Sequence, residues 1–297
     1  MKRIRYGIFG DKIIINDAET IRALAGDEHI DRQFILRPVL NGLILGRLLR
    51  NLSYKGAHFP HMTPRSDVAR IMRHDSLWEA FNAKAISMDK APDELEPLAK
   101  WIRQEINGEP GILVQQLIGQ FFKPDFRATP ESWQAALTLR EDAISKNLPK
   151  MLWWQLMGKA RRAKELLGSM LNDDLVAIHG IAVASHNLVA TVGKLRSFYA
   201  DKSLWNSMTP DMAVEESLSA PQVVYRQALA KGAAGGCPYS KFTLFMLNLK
   251  EASQNTQAKD MVFMSGTWSR CPAEQWIPAV ISGTWKRVMD VHTTKSD

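Results

Sequence analysis

Two cysteines, Cys237 and Cys271, are the candidate thiolate ligands of this 297-residue sequence. Cys271 precedes Pro272 and a predicted helix, where unpaired backbone N–H groups and the helix dipole would stabilise negative charge. A thiolate there could bind a metal ion, because coordination lowers the pKa of a thiol. The alternative is a buried, inert cysteine, which is common for this residue type. Cys237 precedes Pro238 in a predicted turn, and we interpret it as structural.

The second group of chemically capable residues lies inside the longest apolar helix that the sequence predicts, over residues 173–199. Ser185, His186 and Asn187 offer a hydroxyl, an imidazole and an amide there. Because histidine titrates near neutral pH, His186 could act as an acid–base group. His179 lies seven residues earlier, on a similar face of the helix. The alternative is that both histidines are core residues bonded to backbone.

The elements that must position these residues are mostly helices. The β-branched triplet Ile13–Ile15 predicts a strand, and Asn16-Asp17 should cap the helix that follows. Apolar residues at helical spacing predict helices over residues 31–52, 67–84, 210–220 and 273–289. Several more helices are expected up to about residue 172, with breaks at 107–111, 123–125 and 147–149. A loop is expected at 56–64, turns at 232–236 and 237–238, and a strand at 242–247. We therefore predict a mainly α fold with a minor β component, in a single domain over residues 1–297.

Composition and charge restrict the class of protein. The chain is 45% hydrophobic and 23% charged, as in soluble globular proteins, and its net charge of +7 favours an anionic partner. The basic residues are scattered; the nearest cluster, Lys159 to Lys164, predicts a solvated helix face, and Trp153-Trp154 are expected to pack internally. With no leader-like segment, no apolar run of about 18 residues and only two cysteines, we predict a cytoplasmic protein without a transmembrane segment. Phosphate-loop, paired-cysteine zinc, nucleophile-elbow and dinucleotide motifs are absent from the sequence.

The order of the C-terminal elements resembles the cytochrome P-450 superfamily. A long helix, an acidic helix at 213–221, the pair Tyr225-Arg226, a turn at 238–243 and a cysteine loop follow one another as in that family. His61-Met-Thr-Pro-Arg65 resembles a His-x-x-x-Arg pair that the family places on haem propionates, and residues 13–24 resemble its first strand and helix. The resemblance implies a cytochrome P-450-like helical fold, truncated in its middle third.

The same resemblance implies a haem b cofactor and assigns roles around it. Cys271 would be the metal ligand; the expected cofactor-binding residues are His61, Arg65, Arg226, Phe263, Gly266 and Arg270; and the expected catalytic residues of the long helix are Ser185, His186 and Asn187. The implied function is a haem-thiolate monooxygenase that acts on a small organic substrate. Electrons would come from a separate redox protein, for which an acidic ferredoxin would suit the basic chain.

Three departures from the family pattern keep other functions open. The Glu-x-x-Arg pair is missing, because Glu215 leads to Leu218 and Glu216 to Ser219. Residues 181–187 lack the Ala-Gly-x-x-Thr signature, and Ala273 stands where the family has glycine. A peroxide-using enzyme, or one that rearranges or dehydrates its substrate, would fit these changes. A third interpretation is a non-enzymatic basic helical protein that binds a protein partner or nucleic acid, although nucleic acid is not the expected partner.

Overall fold

The computed structural model describes residues 1–5, 11–35, 49–59, 63–88, 92–145, 147–205, 207–256 and 259–293. The chain divides into two compact units. Unit 1 comprises Met1–Leu77 and Ala220–Glu274, and unit 2 comprises Trp78–Ser219 and Gln275–Asp297. The single haem-binding domain stays a prediction. His61 and most of the helix predicted over residues 31–52 lie outside the described residues.

Unit 1 contains the β structure of the described residues. Its strands are β1 (Lys2–Arg5), β2 (Asp11–Ile15), β3 (Ile30–Asp31), β4 (Ser53–Tyr54), β5 (Ala57–His58), β6 (Val224–Ala228), β7 (Gly232–Ala234), β8 (Cys237–Tyr239) and β9 (Leu244–Leu247). Five of them form one sheet in the order β1-β2-β9-β6-β3, in which only the β2–β9 pair is parallel. The predicted strand at Ile13–Ile15 is confirmed, and Ile13 pairs with Phe245.

The core of unit 1 lies between this sheet and helix α1 (Ala18–Gly26). The predicted cap is confirmed, since the Asp17 side chain accepts a hydrogen bond from the Thr20 N–H at 2.8 Å. Ile21 and Leu24 of α1 are fully buried with Ile13 and Ile15 in one apolar cluster. That burial of apolar surface is the main stabilising term for the unit.

The predicted turns at residues 232–236 and 237–238 are wrong in part. Residues 232–234 and 237–239 pair as the hairpin β7–β8, and only Gly235 and Gly236 form the turn between them, with φ values of +54° and +71°. Both glycines therefore adopt the left-handed conformation that suits a tight hairpin turn. Cys237 is buried in β8.

The helices make up most of unit 2 and also occur in unit 1. In chain order the helices are α2 (Val68–Met88, of which residues up to Leu77 belong to unit 1), α3 (Pro92–Ile102), α4 (Pro110–Phe122), α5 (Pro130–Ile144), α6 (Leu148–Leu156), α7 (Lys159–Met170), α8 (Leu175–Ala200), α9 (Lys202–Trp205), α10 (Pro210–Ser217), α11 (Leu249–Thr256) and α12 (Trp276–Thr293). The mainly α fold with a minor β component is confirmed. The predicted break at 123–125 falls between helices, the breaks at 107–111 and 147–149 run into the first residues of α4 and α6, and α12 begins three residues later than predicted.

Helix α8 is the central helix of unit 2, and its hydrogen-bonding changes partway along. Residues Gly180–Ala184 form a π-helical segment between two α-helical parts. Wider turns of this kind frequently mark functional sites. By length and composition α8 alone among the described helices could span a membrane, with a mean hydropathy of 1.6, but half of that window is buried inside the structure. The core helix of a soluble protein passes the same test.

Helices α4 and α5 approach each other closely because α4 has glycine at the contact. A Cβ on Gly111 would lie 2.0 Å from the indole of Trp133, and one on Gly119 would lie 2.1 Å from the ring of Phe126. Neither distance is compatible with any side chain at these positions. The two glycines therefore fix how α4 packs against α5 and the preceding loop.

Candidate functional site

The Cys271 loop is a compact series of turns in unit 1. It follows the 3₁₀ turn Lys259–Val262, and the Cys271 N–H donates to the Phe263 carbonyl at 2.8 Å, which closes the loop. Gly266 lies at its exposed tip with φ +72°, a conformation that favours glycine. The Arg22 guanidinium on α1 holds the base of the loop through two 2.7 Å bonds to the Asp260 carboxylate. The loop is therefore anchored to the sheet unit independently of any ligand.

The Cys271 thiol is half-buried, and its surroundings favour the neutral form. Burial raises the pKa of Cys271 to about 11; the Ala273 N–H and the charge of Arg32 oppose that rise, whereas Glu274 adds to it. The predicted stabilisation by a helix start directly after Cys271 is not what the structure has, because α12 begins at Trp276. Deprotonation of this thiol at neutral pH would therefore need a bound cation or metal.

Four guanidinium groups surround the indole of Trp268 on the same loop. The ring centroid lies 4.7 Å from Cζ of Arg32, 5.2 Å from that of Arg65, 5.5 Å from that of Arg70 and 5.7 Å from that of Arg226. Cation–π attraction to this one ring stabilises the four charged groups without neutralising them. We call Arg32, Arg65, Arg70 and Arg226 the arginine cluster.

The cluster concentrates positive charge in a buried place. Arg32 and Arg226 are only 8% and 6% exposed, and Asp31 is the buried carboxylate beside them. Burial and repulsion from Arg226 and Arg70 hold the pKa of Arg32 well below its usual range, and burial lowers the pKa of Arg226 to about 10. Lowered pKa values mean that the charged forms are destabilised here, so an added anion would be attracted.

Hydrogen bonds fix the cluster on the fold. The Arg226 guanidinium on β6 donates to the Ser269 hydroxyl at 3.1 Å and to the Tyr225 carbonyl at 2.6 Å. The Arg65 N–H donates to the Asp31 carboxylate at 2.9 Å, and the Arg70 guanidinium donates to the Arg65 carbonyl at 2.8 Å. Strand, loop and helix therefore hold the arginines in place before any ligand binds.

A cavity of about 480 Å³ opens beside the cluster within unit 1. Its walls come from the segment before α2, the first part of α2 and the cysteine loop, with the residues Arg65, Arg70, Ile71, His74, Asp75, Gly266, Thr267, Trp268 and Arg270. The His74 Nε2 lies 3.0 Å from the Arg270 carbonyl and so links α2 to the residue before Cys271. Mixed apolar and basic walls of this size suit an amphiphilic anion.

The predicted catalytic residues on α8 belong to unit 2. His186 is half-buried, its ring centroid lies 5.1 Å from that of Trp133, and its Nε2 lies 3.3 Å from the Ala136 carbonyl. Burial and the charge of Arg140 lower the pKa of His186 to about 4, so the imidazole is neutral at neutral pH. It can then donate or accept a hydrogen bond, but it carries no proton to give as an imidazolium.

The two residues beside His186, Ser185 and Asn187, differ in burial and in hydrogen bonding. The Ser185 hydroxyl is buried and donates to the Ile181 carbonyl at 2.7 Å, a bond within its own helix beside the π segment. Asn187 is half-buried. The roles proposed for Ser185, His186 and Asn187 stay predictions.

Of the predicted cofactor-binding residues, five lie in unit 1 with Cys271: Arg65, Arg226, Phe263, Gly266 and Arg270. The sequence motifs do not indicate Arg32, Arg70, His74 and Trp268, which the fold places beside Arg65 and Arg226. Arg32 follows the two-residue strand β3 and has no motif of its own, so only its burial reveals it. Trp268 could have been found as an aromatic residue three positions before the candidate ligand.

The fold is similar to that of solved cytochromes P-450, which confirms the predicted fold. A 6-coordinated cytochrome P-450 from Thermus thermophilus matches with a TM-score of 0.61 and 12% identity, over 93% of this chain and 83% of that one. BioI, a cytochrome P-450 solved in complex with an acyl carrier protein ligated to hexadec-9Z-enoic acid, matches with a TM-score of 0.61 and 13% identity, over 97% and 86%. CxnD, a cytochrome P-450 enzyme for C–S bond formation in chuangxinmycin biosynthesis, matches with a TM-score of 0.63 and 10% identity, over 93% and 79%.

The sequence by itself gives no such match. No protein-family profile matches it, and no curated protein matches it.

Proposed function

We propose that this protein binds haem b through Cys271 and acts as a haem-thiolate oxidoreductase on a small organic substrate. The observation that carries the proposal is the arginine cluster, in which the buried guanidinium groups of Arg32 and Arg226 repel each other around Trp268, a residue of the loop that ends at Cys271. A haem carries two carboxylates and would take a protein side chain as ligand to its iron, so its charges and its ligand requirement both match this set of residues. The residues present therefore fit the group.

Different residues of the chain would bind different parts of the haem. Cys271 would supply the thiolate ligand, and the arginine cluster would neutralise the propionates, with Arg270 adding positive charge beside that ligand. His74 and the Arg22–Asp260 pair would hold the loop in shape. When bound, a thiolate-ligated haem supplies activation of oxygen or peroxide for oxidation of an organic molecule.

Absorption spectroscopy tests this proposal directly. We expect protein expressed with a haem precursor to show a Soret band that shifts strongly to the red when the reduced protein binds carbon monoxide. Cys271→Ser should lose that shift, and Cys237→Ser, the matched control in β8, should keep it. A folded protein with no haem absorption, or an unchanged spectrum in Cys271→Ser, would overturn the proposal.

The oxidant and the substrate class can be separated next. Turnover with hydrogen peroxide alone would favour the peroxide-using alternative, whereas turnover only with an acidic ferredoxin and its reductase would favour the monooxygenase. Because the similar BioI structure holds an acyl chain on a carrier protein, long-chain acyl compounds are the first substrates to test. Conversion without any oxidant would instead indicate rearrangement or dehydration.

A further inference from the structure

Helix α6 carries an exposed apolar face in unit 2. Leu152 is 68% exposed, Trp153 56%, Leu156 79% and Met157 42%. Spacings of four residues, from 152 to 156 and from 153 to 157, place these side chains on one face of the helix. We call these four residues the α6 patch. The expectation that Trp153 packs internally is therefore wrong, whereas Trp154 beside it is half-buried.

Basic side chains border this patch. The Lys150 ammonium group, near the start of α6, lies 4.8 Å from the centroid of the Trp154 ring, and that of Lys159, the first residue of α7, lies 5.0 Å from it. The Arg162 guanidinium donates to the Met157 carbonyl at 2.8 Å, which holds it next to the patch. Residues 148–170 contain five basic side chains and a single acidic one, Glu165, which pairs with Arg161. Glu141 pairs with Lys150, and Asp142 attracts the buried Lys164, so the half-buried Lys159 and the exposed Arg161 and Arg162 are the basic residues that follow the patch.

We propose that the α6 patch and its basic border dock the protein on an anionic lipid bilayer. Apolar side chains including a tryptophan, ringed by lysine and arginine, match the headgroup and acyl layers of such a surface. The basic border supplies attraction to anionic headgroups, and the chain's net charge of +7 acts in the same direction. This proposal does not depend on haem binding.

A second copy of the chain is a poorer occupant for the patch. Helix α6 has nine residues and is therefore about 14 Å long. One partner's share of a stable protein interface is about 800 Å², which one face of such a short helix does not provide. Two facing copies would also bring their basic borders together, and like charges repel.

Sedimentation with lipid vesicles tests the proposal. We expect the 297-residue chain to sediment with vesicles made of equal parts phosphatidylglycerol and phosphatidylcholine, and not with pure phosphatidylcholine vesicles. The double variant Leu152→Glu/Leu156→Glu should bind at least about tenfold more weakly, since it removes apolar contact and adds repulsion. Lys159→Gln/Arg161→Gln should weaken binding less and reduce its dependence on salt.

The matched control lies on another helix. Val68 and Met72 of α2 are each 68% exposed and are also four residues apart, so Val68→Glu/Met72→Glu makes the same chemical change elsewhere. The control variant should bind vesicles like the unchanged protein. Equal binding to both vesicle types, no binding, or an equal loss in the control would overturn the proposal. Concentration-dependent dimers in light scattering that Leu152→Glu/Leu156→Glu abolishes, without vesicle binding, would assign the patch to a second copy instead.

Discussion

The buried arginine side chains around Trp268 carry charges that are destabilised by desolvation. Arg226 is buried, its pKa is lowered, and the same is true of Arg32 beside it. Replacing buried ionic groups by apolar side chains of similar volume is often neutral or stabilising, whereas removing one partner of a buried ion pair is strongly destabilising. The effect of removing an arginine here should therefore depend on whether the proposed haem, an anionic cofactor, is bound.

Arg226→Met tests that dependence. Without haem we expect little loss of stability, because relief of the repulsion with Arg32 offsets the loss of the bond to Ser269 and of the attraction to Asp31. With haem we expect weaker binding by about 1.5–3 kcal/mol, or about 10–100-fold, since a bond to a charged group is lost. Haem titration and thermal unfolding measure both effects, with Arg161→Met as an exposed control of equal charge. Equal haem affinity in Arg226→Met and Arg161→Met would contradict the assignment.

His186 gives a second prediction, on pH. Its folded pKa of about 4 lies below the ordinary value of 6.5, so the unfolded chain binds more protons between those two values. The neutral imidazole therefore contributes stability that is complete above pH 6.5 and is lost as the pH falls towards 4. Urea unfolding at several pH values should show a steeper acid loss in the unchanged protein than in His186→Gln. Parallel curves for the two proteins would show that the imidazole is not buried in this way.

In helix α8, the extent of the helix can be predicted from sequence, whereas the change in hydrogen bonding inside it depends on packing. Apolar spacing alone predicts residues 173–199 as a helix, because that pattern depends only on local sequence. The π segment Gly180–Ala184 cannot be read from spacing, since it is set by packing: a Cβ on Gly180 would lie 3.2 Å from both Ile118 and Phe122. Likewise Arg65 and Arg226 follow from motifs, whereas Arg32 and Arg70 join them only through tertiary folding.

Glycines on two helices provide a matched test of this packing. Gly111→Ala should destabilise the protein by about 1–3 kcal/mol, because its Cβ would overlap the rigid Trp133 indole that also contacts His186. Gly193→Ala on α8 has nothing within 4 Å of its Cβ and should be neutral or stabilise by up to about 1 kcal/mol. Denaturant unfolding measures both. Similar stability in the two variants would mean that α4 and α5 do not pack at Gly111 as described.

The whole molecule carries a net charge of +7, which bears on how electrons would reach it. If an acidic ferredoxin is the donor, attraction at long range should speed its association. The rate of reduction by that ferredoxin should then fall steeply as salt is raised, because mobile ions screen the attraction. Stopped-flow reduction at several salt concentrations measures this, with the reaction of uncharged hydrogen peroxide as the salt-insensitive comparison. A rate that does not change with salt would argue against an acidic donor.

The environments of the two cysteines have a practical consequence for labelling chemistry. Burial raises the pKa of Cys237, as it does that of Cys271, so both thiols are largely protonated at neutral pH. Maleimides and methanethiosulfonates react with thiolates, so both native sites should react slowly. A new cysteine at the exposed Gln155 of α6 should therefore accept a spin label selectively while both native cysteines remain. The mobility of that label would report directly whether α6 enters a bilayer.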